Sequence, residues 1–67
     1  MSPSERHNRL VPELVKRLIK ETDGEAEAMV ALESVVTGVM MFYRPIPRHA
    51  GEFLDSMTAA VIERLKP

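Results

Sequence analysis

The chain has 67 residues, 45% of them apolar, with no cysteine and a formal net charge of −1. That length allows one domain and excludes a large self-sufficient core: so short a chain buries only ~60% of its unfolded surface, and without reinforcement such a core seldom supplies more than ~3–5 kcal/mol. The missing Cys removes a disulfide framework and thiolate metal sites, two His are too few for a structural zinc site, and the small net charge gives no general pull toward nucleic acid or anionic membrane.

The first segment opens on Ser2-Pro3-Ser4-Glu5, which reads as a capping box with Pro at the first helical position. Leu10, Leu14 and Leu18, with Val11, Val15 and Ile19, then recur at helical spacing. Pro12 interrupts the pattern, because it removes a backbone donor and crowds the preceding turn. The expectation is a helix over about 3–21 with a kink or restart at Pro12, firm over 12–21 and frayed or bent over 3–10. Thr22-Asp23-Gly24-Glu25 closes the segment: Gly24 suits a left-handed helix end, and Thr22 with Glu25 fits a second capping box.

The second segment, about 25–43, is the most telling. Glu33 is the sole charge within residues 28–43. At ~100° per residue, Ala28, Leu32, Val35, Val36, Val39 and Met40 fall on one broad arc, with Met29 and Tyr43. The opposite arc holds Val30, Glu33, Ser34, Thr37, Gly38 and Met41. A surface helix needs one apolar stripe, and this one is apolar over most of its circumference. Its second face, Val30, Ser34, Thr37, Gly38 and Met41, is small and weakly polar, so another helix can approach closely there. A strand over 35–43 is the rival reading, from its β-branched and aromatic content. The absence of alternation and the helix-favouring lead-in at 25–33 argue for helix.

Arg44-Pro45-Ile46-Pro47 ends the second segment, and Pro47 suits the start of a third helix over 47–65. In that segment Phe53, Leu54, Met57, Ala60, Val61 and Leu65 share a face, opposite Glu52, Asp55, Ser56 and Glu63. The expected fold is therefore all-α: a three-helix antiparallel bundle-like domain, 1–67, with a central apolar second helix completed by homodimerisation.

The charges are segregated. Residues 1–20 sum to +3, residues 21–43 to −5 and residues 44–67 to +1. Acid at the second helix's start and base at the first helix's end both suit the helix dipoles.

Candidate sites are few. Glu33 could act as a buried general base, but its place at the arc boundary reads as solvent-facing or paired with Lys16 or Arg17. His49 with Glu52 has a ligand-like spacing, and His7 lies near the first helix's start; the inventory is too thin for a bundle metal site. Arg44, Arg48 and His49 around the proline turn form a candidate anion-binding cluster at a helix start. Arg6, Arg9, Lys16, Arg17 and Lys20 could make a nucleic-acid stripe, against which stand the acidic neighbouring helix and the lack of interleaved aromatics.

The reading is a small protein–protein interaction or regulatory module, acting as a helical homodimer or on a protein partner. It calls for no catalytic residue, cofactor or metal. Val30, Ser34, Thr37, Gly38 and Met41 are its expected interface. A nucleic-acid-binding regulator using the basic first helix is the first alternative, and a ligand-binding protein or enzyme using Glu33 or His49 the second. The polar N-terminus lacks a signal-peptide core, and the 28–43 run is short for a bilayer and broken by Glu33 and Gly38. The expected setting is the cytoplasm, with no membrane span.

Overall fold

Serine before proline sets where the first helix begins, and the computed structural model, which describes all 67 residues, shows the expected capping box in full. The Glu5 amide donates to Ser2 Oγ at 3.2 Å, and the Ser2 amide donates to Glu5 Oε1 at 3.3 Å. Two of the helix's orphan donors are thereby satisfied. Helix α1 runs from Pro3 to Glu21. It passes through Pro12 as one element, so the expected restart does not occur and residues 3–10 are helical. Pro12 removes one intrahelical bond, and the strongly one-sided apolar stripe continues through it unbroken.

The turn after α1 is built differently from the sequence expectation. Thr22 does not cap the second helix. It closes the first, where its hydroxyl donates to the Leu18 carbonyl. Gly24 takes φ +94°, the left-handed region expected of it, and its carbonyl accepts from the Ala28 amide at 3.1 Å. That bond starts α2.

Helix α2 spans Glu25–Tyr43, which decides against the strand reading of 35–43. Its apolar residues are spread almost evenly around the axis, with Glu25 and Glu27 in the first turn. It ends at Arg44, which has φ +49° and donates its amide to the Met40 carbonyl at 2.7 Å. A left-handed residue is the usual way to stop a helix, but glycine is the usual occupant. Pro45 and Pro47 bar continuation. Helix α3 spans Pro47–Leu65 with Pro47 in its first turn, as expected, and its N-cap Ile46 supplies no side-chain cap.

The chain is all-helical, with three helices and no strand. It divides into two compact units, Met1–Thr37 and Gly38–Pro67. The first holds α1 and the first two-thirds of α2; the second holds the end of α2 and α3. In the first unit Leu18, Thr22, Ala28, Ala31 and Val36 are half-buried, and in the second Met40, Pro45, Ala50 and Leu54. No residue of either unit is fully buried.

Candidate interaction surface

The five residues expected at an interface are spaced i, i+4, i+7, i+8 and i+11 along α2, one face of a helix. All are exposed, Val30 at 62% and Met41 at 66%. A Cβ added at Gly38 meets nothing within 4 Å in its own chain. The Thr37 hydroxyl donates back to the Glu33 carbonyl at 2.9 Å, so it is occupied locally and adds little polarity to the face. Exposure does not single this face out, because the opposite arc is open too: Leu32, Val35 and Val39 are all exposed.

Two further apolar features escaped the sequence reading. The first is a groove within the first unit, of about 560 Å³. Leu14 and Leu18 of α1 and Ala31, Leu32 and Val35 of α2 line it, with Arg17, Glu21 and Thr22 at its rim. The sequence signal was present: the α1 stripe is one face and α2 offers an arc to it. The open space between them depends on how closely the helices pack, which periodicity does not report. The second is the pair Phe42 and Tyr43, stacked edge to face with ring centroids 4.9 Å apart at 78°. Both rings are largely exposed at the end of α2. Exposed aromatics beside an apolar face are the residue type that anchors interfaces.

The polar candidates sit as follows. Glu33 is exposed, and Arg17, one of its suggested partners, instead pairs with Glu21 at 2.8 Å. That hydrogen bond and the Glu21 charge hold the Arg17 guanidinium above its ordinary pKa. Arg48 of the anion-binding candidates pairs with Glu52 at 3.3 Å; Arg44 serves as the backbone stop of α2; His49 is exposed in the first turn of α3. His7 lies within 3.3 Å of the Asn8 side-chain oxygen on exposed surface. No three acidic or imidazole side chains converge as a metal-ligand group. All three ion pairs, including Lys66–Glu63, join residues three or four apart in sequence, so none ties one helix to another.

By length and composition alone, α2 is long and apolar enough to cross a membrane: 19 residues, mean hydropathy 1.4 over an 18-residue window, none of it buried. Core helices of soluble proteins, which are mostly buried, and signal sequences near an N-terminus pass the same test of length and composition. Comparison with protein-family models, curated proteins and solved structures finds no match to this chain.

Proposed function

We propose that this chain is a small interaction module whose three antiparallel helices are completed by a second copy, with α2 at the centre of a soluble homodimer and no catalytic chemistry of its own. The observation that carries the reading is the uncovered apolar surface. Within Met1–Thr37 and within Gly38–Pro67 alike, no residue is fully buried. Twenty large hydrophobic residues are exposed, and the ion pairs do not compensate for them, because surface pairs contribute only ~0–1 kcal/mol.

Sedimentation equilibrium at micromolar concentration tests the reading. A dimer of the 7.6 kDa chain is expected, and a clean 7.6 kDa species overturns it. Far-ultraviolet circular dichroism on serial dilution adds a second measure. Isolated helices of this length are marginal in water, so helicity is expected to fall as the dimer dissociates. Full helicity at concentrations where the chain is monomeric argues against association as the source of the fold.

The hydropathy of α2 favours one other reading, a membrane span. Glu33 weighs against it, since an ionised side chain near the centre of a span costs at least ~2.5–3.5 kcal/mol. Flotation with lipid vesicles separates the two: the dimer stays in the aqueous fraction.

A further inference from the structure

We propose that Arg44 is a two-state hinge: the elbow between α2 and α3 exchanges between the left-handed form of this structure and an extended form, and the exchange redirects α3. The elbow lies wholly within Gly38–Pro67. The inference concerns a single chain and does not depend on the homodimer reading.

Two local rules oppose the conformation that Arg44 adopts. Its φ of +49° is left-handed, where an L side chain crowds the following carbonyl. Its successor is Pro45, whose ring drives the preceding residue toward extended backbone. One reward of a left-handed helix end is present, the Arg44 amide donating to the Met40 carbonyl at 2.7 Å. The second bond of the fuller motif needs an amide on the next residue, and proline has none.

A strained residue persists when its surroundings over-determine it. Here they hold it weakly. Only Met40, Pro45, Ala50 and Leu54 are half-buried in this unit, and none of its residues is fully buried. Ile46 gives α3 no side-chain cap. The side-chain hydrogen bonds Thr37–Glu33, Arg48–Glu52 and Lys66–Glu63 are local to their own segments, so none clamps α2 to α3. Relaxing φ from +49° to the polyproline region turns the chain by about 120° at one bond, which aims α3 elsewhere. Such single-residue dihedral changes are how hinges work. A partner that touches both the Phe42–Tyr43 rings and α3 would bind one form better and shift the population toward it.

The absence of Cys makes the test direct. Val39→Cys and Thr58→Cys, both exposed positions on either side of the elbow, carry a pair of spin labels. Labelled chain is diluted in excess unlabelled chain, so that dipolar spectroscopy reads distances within one chain. The expected result is two distances, with a ratio that moves in opposite directions in two variants. Arg44→Gly removes the left-handed penalty and enriches that form by about 5- to 30-fold. Arg44→Val enriches the other. A second pair, His49→Cys with Ile62→Cys, lies wholly on α3, about 20 Å apart at the helical rise, and should keep one distance throughout. A single Val39–Thr58 distance common to parent and both variants overturns the hinge. So does a shift in the same direction for both variants, or a matching spread in the α3 pair, which would mark unfolding of that helix instead.

Discussion

Gly38 offers the sharpest test of where a second copy touches α2. It lies within the helix, where glycine is about 0.8–1.0 kcal/mol less favourable than alanine. In its own chain a Cβ at this position meets nothing within 4 Å. Judged on one chain, Gly38→Ala therefore gains up to ~1 kcal/mol, or about 4–8 °C in Tm for a domain of this size. Gly38→Leu gains nearly as much, because leucine is also a strong helix former. If the face carrying Gly38 packs against another helix, the outcome changes sign for the larger side chain. Overpacking costs ~1–3 kcal/mol, which weakens self-association by about 5- to 150-fold. The assay is thermal unfolding by circular dichroism at several protein concentrations, with sedimentation equilibrium on the same samples. We expect Gly38→Leu to lower Tm and to raise the dissociation constant, and Gly38→Ala to fall between it and the parent chain or above both. A rise in Tm for both variants, independent of concentration, would refute a close crossing at this face.

Substitutions at three further positions probe the backbone. Pro12→Ala restores a helical donor inside α1; the ~3 kcal/mol cost of internal proline, less ~0.4–1 kcal/mol for a freer unfolded chain, gives about 2 kcal/mol of added stability, read as higher helicity and Tm. Unchanged helicity would contradict it. Arg44→Gly relieves a left-handed non-glycine residue and should stabilise by ~0.5–1 kcal/mol, whereas Arg44→Val should destabilise; equal denaturation midpoints for the two variants would show that the left-handed stop is not maintained. Gly24→Ala should cost ~1–2 kcal/mol although nothing lies within 4 Å of its added Cβ, because φ +94° disfavours any L side chain; a urea midpoint at or above that of the parent would remove the strain argument.

The helix boundaries were legible in the sequence because each is set by local chemistry. Ser2 and Glu5 cap α1, Gly24 turns the chain, and Pro45 with Pro47 separates α2 from α3. Where local rules competed, the reading missed. Thr22 took the Leu18 carbonyl behind it rather than an amide ahead. Pro12 carries a local penalty, yet α1 runs through it as one helix, which a single-residue rule does not foresee. The left-handed Arg44 left no signal, since arginine is not a residue that seeks that conformation. The groove and the Phe42–Tyr43 pair were missed for another reason. Periodicity says which residues share a face but not how far apart two faces stand.

The lack of any buried residue is the fact about this chain that most constrains its biology. Ordering a residue's backbone costs ~1–2 kcal/mol, and the term that offsets this is apolar area removed from water. A chain whose Leu14, Leu32, Val35 and Val61 all remain open has little of that term within itself. Local devices are present in good order, but a capping box, three ion pairs and a helix stop contribute ~1 kcal/mol each or less. They choose helix over coil without holding helices together. On the homodimer proposed above, a second copy supplies the missing stabilisation, and the pattern on α2 bears on how. Apolar residues all around its axis call for cover on more than one side, which one flat partner face cannot give. Val30 and Met41 look one way; Leu32 and Val35 look the other, into the groove. In the proposed homodimer, a second copy packing its own α2 on the first face would cover the side that carries Val30 and Met41. Association is thus the part of the proposal on which the fold of α2 depends, and loss of helicity on serial dilution is the result expected of it.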